Sequence, residues 1–157
     1  MFERFAASAR KIVVQGVEEA RDRGDRRVGT DHLLVALLAD PDTAELLGTE
    51  PDAARAAGRD LDREALAAVG IATDTLPARG SLRSGGRLPF TAGARDVMRR
   101  TLEHAVAEKA RSIGPKHLML ALLDREQPDP AATLLTSLGI NGDQVREKLR
   151  QGTNGQR

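Results

Sequence analysis

The sequence predicts an all-α fold of about eight helices, arranged as two pseudo-symmetric tandem repeats of four helices each. Three observations lead to this class. A shift of 85 residues overlays residues 5–38 on residues 90–123 with 13 identities in 34 positions. Each copy opens with apolar residues at spacings of three and four, the period of an amphipathic helix. Aromatic residues make up 2% of the chain, so its core must be aliphatic, which favours helices over sheets.

The first helix of each copy is predicted from its apolar stripe and its boundary residues. In the first copy the stripe runs over residues 5–20, and Gly24 fits a C-terminal stop. In the second copy it runs over residues 94–106, and Thr91 is a suitable N-cap. These two helices should pack their stripes on the core.

The second helix of each copy is predicted to be short and central. Residues 31–39 and 116–124 are apolar on nearly all sides, which is typical of a buried helix. Pro115 fits the first helical position of the second of these. Two further helices are predicted in the second copy, near residues 130–138 and 142–151.

The register of the repeat changes after these helices. Residues 69–71, Val-Gly-Ile, match residues 138–140, Leu-Gly-Ile, at an offset of 69, which implies 16 extra residues in the first copy, around 48–62. Glycine, serine and proline are frequent over 73–89, as in a linker. The prediction is one domain of residues 1–157, with repeat one at 1–72, the linker at 73–89, repeat two at 90–151, and a flexible tail at 152–157.

Charge and composition exclude several classes of protein. Lys and Arg total 24 against 23 Asp and Glu, a net charge of +1 that argues against a dedicated nucleic-acid binder. The chain has no cysteine, so disulfides and thiolate chemistry are excluded. No apolar run approaches the ~20 residues of a membrane span, and no signal peptide fits the charged start. We therefore expect no membrane partner and a cytoplasmic location.

Catalytic and metal-binding patterns are missing from the sequence. There is no P-loop motif for a nucleotide, and no histidine pair shares one helix face as a metal site needs. We expect no enzyme activity, no catalytic residue, no metal and no cofactor. The repeat places His32 and His117 identically. They are either a symmetric pair of ligand contacts or imidazoles that bond the loop at the start of the second helix, and the second interpretation is favoured.

Two segments of the repeat resemble a known family. Residues 29–38, Gly-Thr-Asp-His-Leu-Leu-Val-Ala-Leu-Leu, and residues 114–123, Gly-Pro-Lys-His-Leu-Met-Leu-Ala-Leu-Leu, are similar to the two Clp N-terminal repeats of Clp ATPase chaperones. The opening residues 1–5, Met-Phe-Glu-Arg-Phe, resemble the start of the ClpC type. The resemblance covers nearly the whole chain except the insert near 48–62 and the tail.

The resemblance implies a fold of eight helices in two halves and a role in binding substrates or adaptor proteins for an attached ATPase ring. No ATPase module is present in this chain, which is then either a free-standing paralogue or a fragment. The leading hypothesis is a non-enzymatic binding module for peptides, unfolded segments or Clp adaptors. It would sequester such peptides or compete with the Clp ATPase for them. The alternative is a regulator that docks on the Clp ATPase and modulates proteolysis. A helical DNA-binding regulator is disfavoured by the charge balance.

The resemblance also implies two sets of site residues. ClpC-type domains bind cyclic hydrophobic peptide antibiotics, and the matching positions in this chain are Phe2, Arg10, Phe90 and Arg95. Phe5, by contrast, is expected in the core. These domains also bind phosphoarginine through an acid in each repeat.

In this chain the acid positions of the phosphoarginine site hold Asp31 and Lys116. Because a lysine repels a guanidinium, the resemblance implies phosphoarginine binding at most in the Asp31 half.

Overall fold

Residues 5–71 and 87–154 are described by a computed structural model, and they form eight α-helices. The four helices of the first repeat and the four of the second follow in order: α1 Ala7–Asp22, α2 Thr30–Leu37, α3 Pro41–Leu47, α4 Pro51–Ala68, α5 Ala92–Ala107, α6 Pro115–Leu123, α7 Pro130–Ser137 and α8 Gly142–Asn154. The described residues contain no strand, and two isolated bridges are the β-type pairings found among them. The all-α class and the two four-helix repeats are therefore confirmed.

The first helix of each repeat packs its predicted stripe on the core. Along α1 the residues at the expected spacings are buried, except that Val17 is partly buried, and Gly24 ends the helix with a φ of 75°. The Thr91 side chain caps α5 by accepting from the Ala94 N–H at 3.1 Å. One stripe position was predicted wrongly, because Val106 is 59% exposed. Each residue advances about 100° around a helix, so Val106 points away from its buried neighbour Ala105.

Helices α2 and α6 are the buried centre of the two repeats, as predicted. Every residue of α2 except Asp31 is buried, and Pro115 opens α6 at its first turn. Gly16 of α1 lies so close to α2 that an added Cβ would stand 3.0 Å from Leu33 Cδ2. The absence of a side chain there lets the two helices approach. One hydrophobic core draws on the helices of both repeats.

The third and fourth helices correct the predicted register. Residues 69–71 follow the fourth helix of repeat one, whereas residues 138–140 follow the third helix of repeat two. The residue that matches Gly139 is Gly48. Both glycines end a third helix, with a φ of 68° at Gly48 and 72° at Gly139. The proposed 16-residue insert is therefore wrong, because its residues form α3's end and most of α4. Any helix end followed by glycine and an aliphatic residue gives the same short match.

The predicted linker and tail are described in part. Linker residues 73–86 lie outside the described residues, while 87–89 lead without regular structure into Phe90. Helix α8 extends to Asn154, into the segment expected to be the tail. Among the described helices, none is long and apolar enough to cross a membrane.

The two repeats exchange contacts at their junction. Phe5, before α1, forms a parallel bridge with Ile113, before α6; Phe90, before α5, forms the equivalent bridge with Val28, before α2. The hydroxyl of Thr30 also donates to Asp129 at 2.8 Å, from one repeat to the other. The start of each first helix thus lies against the opposite repeat.

Candidate functional site

The start of α5 brings two of the predicted peptide-binding residues together. The Phe90 backbone is held by the neighbouring repeat, since Val28 N–H donates to the Pro89 carbonyl and Thr91 N–H donates to the Val28 carbonyl, both at 2.9 Å. Arg95 lies one turn along the helix, and its Nη1 donates to the Phe90 carbonyl at 2.8 Å. The Phe90 side chain is partly buried against the core, and the Arg95 side chain is exposed.

The start of α1 is the pseudo-symmetric counterpart of this arrangement. Ala6 N–H donates to the Ile113 carbonyl at 2.9 Å, and Arg10, at the position equivalent to Arg95, is exposed. Phe5 is 4% exposed, so its expected place in the core is confirmed. Phe2, the other predicted aromatic contact, lies outside the described residues. We refer to Arg10, Phe90 and Arg95 as the junction face.

Asp31 is engaged by an arginine of its own repeat. Arg23 Nη1 donates to Asp31 at 2.9 Å and Nη2 donates to Asp62 at 2.9 Å, while Asp25 lies 3.5 Å from Nε. Burial by itself would lower the pKa of Arg23, but the attraction of Asp31, Asp25 and Asp62 outweighs it and raises that pKa. The Asp31 carboxylate therefore already binds a guanidinium, that of Arg23 in the same chain.

Lys116 has the opposite charge to Asp31, and its ion-pair partner is an acid, Glu108. Its Nζ donates to Glu108 Oε1 at 2.7 Å, and His117 Nε2 lies 2.7 Å from Oε2 of the same carboxylate. The hydrogen bond from Lys116 lowers the pKa of Glu108, and the bond from His117 adds to this effect while partial burial opposes it. Glu108 is thus held charged by two neighbours.

These two ion pairs are equivalent and reversed. The 85-residue shift places Arg23 on Glu108 and Asp31 on Lys116. Where the first repeat has the base the second has the acid, and where the first has the acid the second has the base. The ion pair is therefore kept while both of its charges are reversed. The family resemblance points to Asp31 and Lys116 without their ion-pair partners. The missing signal was the matched reversal at their partners, eight residues earlier in each copy.

The two matched histidines have a structural role. His32 Nδ1 accepts from the Gly29 N–H at 2.8 Å, and His117 Nδ1 accepts from the Gly114 N–H at 3.0 Å. Both imidazoles are buried, with exposures of 4% and 6%. Because Nδ1 accepts, the proton is on Nε2, which faces Asp25 at 2.8 Å in the first repeat and Glu108 in the second. The interpretation that each imidazole bonds the loop before the second helix is confirmed.

A cleft of about 620 Å³ connects Asp31 with the junction between the repeats. Thr30 and Asp31 line one side, Thr91 and Gly93 at the start of α5 line another, and Arg26 is among the basic residues. Carboxylate, hydroxyl and guanidinium groups therefore face one space. Over residues 5–71 and 87–154, no three His, Asp or Glu side chains converge as metal ligands would.

Known proteins are similar to this chain in sequence and in fold. A family described as the Clp repeat (R) N-terminal domain matches residues 89–156. Chaperone protein ClpC1, chloroplastic, of Oryza sativa subsp. japonica is 34% identical over 149 residues, covering 95% of this chain and 15% of the relative. The ATP-dependent Clp protease ATP-binding subunit ClpA homolog of Guillardia theta is 32% identical over 149 residues, covering 95% and 17%.

Solved structures agree at the level of the fold. The N-terminal domain of the caseinolytic protease associated chaperone ClpD from Arabidopsis thaliana superposes with a TM-score of 0.74 at 23% identity, covering 98% of this chain and 99% of that one. The Hsp104 N-terminal domain from Candida albicans gives 0.62 at 17% identity, covering 94% and 89%. The molecule is a double-repeat helical domain of the Clp type. The chain carries a Clp repeat (R) N-terminal domain at residues 89–156, and it spans 15% of the length of the ClpC1 relative.

Proposed function

We propose that this chain is a non-enzymatic peptide- and protein-binding domain, and that its main binding site is the junction face with Phe2. The observation that carries the proposal is the reciprocal bridging of the two repeats. It fixes the starts of α1 and α5 against the opposite repeat, so Arg10 and Arg95 are presented from a rigid backbone. Rigid presentation lowers the entropic cost of binding a ligand.

The chemistry of the junction face suits a compact hydrophobic peptide. A partly exposed aromatic ring at Phe90 supplies apolar contact, and aromatic residues dominate the energetics of small interfaces. The Arg95 guanidinium uses Nη1 on the Phe90 carbonyl and carries further N–H donors for peptide carbonyls. Phe2 completes the proposal as a second aromatic anchor from the chain start.

The proposed partners follow from the family. The relatives are named as chaperones and as ATP-binding subunits of a Clp protease. We extend to this chain the binding of peptides or unfolded segments, of a Clp adaptor, and of the Clp ATPase or protease. Cyclic hydrophobic peptide antibiotics are proposed as ligands of the junction face. Nucleic acids, membranes and cofactors are not among the proposed partners, and the proposed location is the cytoplasm, although several relatives are named chloroplastic.

Phosphoarginine is proposed as a weak ligand of the Asp31 half alone. An incoming guanidinium must displace Arg23, which Asp31, Asp62 and Asp25 already hold. The second half offers Lys116 at the equivalent position, where a second guanidinium meets repulsion.

Calorimetry with a cyclic hydrophobic peptide tests the proposal. Phe2→Ala and Phe90→Ala should each weaken binding by about 2 kcal/mol, roughly thirtyfold. Arg95→Gln tests the polar contact without disturbing the core, since Arg95 is exposed. Arg99→Gln is the matched control, because Arg99 lies one turn further along α5 and is 60% exposed. Unchanged affinity in both phenylalanine variants, with native circular dichroism, would place the site elsewhere.

A further inference from the structure

The structure contains two grooves at equivalent places in the two repeats. One, of about 880 Å³, lies between α1, α2 and α4, with α7 at its edge. The other, of about 760 Å³, lies between α5, α6 and α8. A shift of 85 residues relates the first two helices of each groove. For the fourth helices the shift is 91, which pairs Ala54 with Val145, both buried.

The two grooves carry opposite charge. The first is lined by five carboxylates: Glu19, Asp22, Asp31, Asp62 and Glu64. Three guanidinium groups also line it, which leaves a net charge of −2, and we call it the acidic groove. The second is lined by Lys116, Arg146 and Arg150 with the single carboxylate Glu108. Its net charge is +2 with His104 counted as neutral, and we call it the basic groove.

The difference of four charges arises in two equal parts: two on the first two helices and the loops between them, where Arg23 is also replaced by Glu108, and two on the fourth helix, where Asp62 and Glu64 line the acidic groove alone. Three carboxylates of the acidic groove are replaced in the basic groove: Glu19 by His104, Asp22 by Ala107, and Asp31 by Lys116. The arginines of the fourth helix are present in both grooves, Arg55 with Arg146 and Arg59 with Arg150.

In the acidic groove this arginine is neutralised within the chain. Arg55 Nε donates to both carboxylate oxygens of the buried Glu19, at 3.2 and 3.1 Å, and its Nη1 donates to Asp52 at 2.6 Å. The side-chain hydrogen bonds that Arg55 donates to Glu19 are the main reason that the pKa of Arg55 is raised. A ligand carboxylate therefore meets an arginine that is already paired.

In the basic groove the equivalent arginine has no such partner on α5. Arg146 Nη2 donates to the Leu123 carbonyl at 2.8 Å and to Asp124 at 3.3 Å, and its Nη1 donates to Asp143 at 3.2 Å; both carboxylate bonds are longer than the 2.6 Å bond of Arg55 to Asp52. Neither of these acids lines the groove. Arg150 is 73% exposed and pairs with Glu147 at 2.8 Å along the same helix face. Such exposed pairs contribute little and exchange readily with a ligand.

The floor of the basic groove is apolar. Ala107, Leu120 and Leu149 line it between the cationic side chains. Leu120 is partly exposed, whereas its counterpart Val35 in the acidic groove is 5% exposed. An aliphatic ligand side chain can therefore contact Leu120 while flanking carboxylates reach the cations.

We propose that the basic groove binds an acidic peptide segment whose carboxylates flank an aliphatic side chain. The carboxylates pair with Lys116, Arg146 and Arg150, and the aliphatic group contacts Leu120 and Leu149. This second site shares no residue with the junction face. It recognises acidic segments, which the acidic groove repels, so the charge-reversed repeats give one domain two surfaces of different specificity.

The test uses fluorescence anisotropy with a short labelled peptide of glutamate and leucine, and with the same peptide carrying lysine for glutamate. Wild-type protein should bind the glutamate peptide saturably, and binding should weaken as salt is raised. Arg150→Glu should weaken it about tenfold, because one attraction is replaced by one repulsion. Arg59→Glu, the equivalent change in the acidic groove, should leave it unchanged. Chemical shifts should move in α6 and α8.

Several results would overturn the proposal. These are equal binding of the lysine peptide, an equal loss in Arg59→Glu and Arg150→Glu, or an absence of saturable binding to folded wild-type protein. Phe90→Ala separates this site from the junction face, since it should weaken binding of the cyclic hydrophobic peptide roughly thirtyfold and leave binding of the glutamate peptide unaffected. Loss of both ligands in a folded Phe90→Ala protein would also reject a separate site.

Discussion

Replacing Glu108 by arginine should destabilise the second repeat by more than the loss of one surface ion pair. Lys116 and Glu108 are 31% and 35% exposed, so their ion pair is worth about 0.5–1 kcal/mol after solvent screening. Glu108 also bonds the buried His117 at 2.7 Å, a further ~1 kcal/mol. Arginine loses both contacts and adds repulsion, so we expect about 2 kcal/mol.

The first repeat shows how the loss should be rescued. There the base is Arg23, the acid is Asp31, and Asp25 bonds His32. Ala110 stands at the position equivalent to Asp25. Adding Ala110→Asp and Lys116→Asp to Glu108→Arg rebuilds that network in the second repeat, and should restore stability to within about 1 kcal/mol of wild type.

Urea denaturation followed by circular dichroism at helical wavelengths measures these differences as shifts of the midpoint at constant slope. Lys116→Asp alone, which places two carboxylates together, is a second destabilised reference. A Glu108→Arg protein as stable as wild type would refute the reasoning. So would a triple variant no more stable than the single one, because the two networks would then not be equivalent.

Three further predictions follow from the same contacts. The pKa of Glu108 is lowered in the folded protein, so its stabilising contribution is complete above the unfolded-state pKa near 4.5 and is lost as pH falls through the lower folded-state pKa. The urea midpoint should therefore decline on the acid side, and Glu108→Gln should flatten that decline. Thr30→Val removes the 2.8 Å bond to Asp129 between repeats and should cost about 1–2 kcal/mol, against little for the exposed Thr136→Val. Titration with free phosphoarginine should give at most one weak site, abolished by Asp31→Ala; two equal sites would contradict this.

Much of the fold could be predicted because the first two helices of the unit are indicated independently in both copies of the repeat. The stripe of α1, the N-cap Thr91 and the first-turn Pro115 each follow from local rules that tertiary packing does not override. The buried second helices follow from runs that are apolar on all sides. The bond of each histidine to the loop before the second helix was expected from the identical positions of His32 and His117.

The register of the fourth helix could not be predicted from the sequence. Glycines at 48, 70 and 139 all end helices with positive φ, so a three-residue match cannot tell a third helix from a fourth. The pairing that settles the register, Ala54 with Val145, consists of buried residues in weakly apolar helices. Only the packing of Ala54 and Val145 on the preceding helices identifies these two residues as equivalent.

The candidate site was predicted in part for a similar reason. The sequence indicates that Arg10 and Arg95 are equivalent. The crossed bridges that fix their backbones join Phe5 to Ile113 and Val28 to Phe90, contacts between distant parts of the chain that local periodicity does not indicate. The charge reversal of Lys116 was visible in the sequence, whereas its compensation by Glu108 required the ion pairs to be known.

Peptide binding where the two repeats meet should be visible residue by residue. It can be followed by backbone amide chemical shifts when isotope-labelled protein is titrated with a cyclic hydrophobic peptide. We expect the largest shifts on Arg10, Val28, Phe90 and Arg95, and we expect Arg95→Gln to reduce them at equal peptide concentration. Shifts confined to α4 or α8, with the starts of α1 and α5 unaffected, would contradict it.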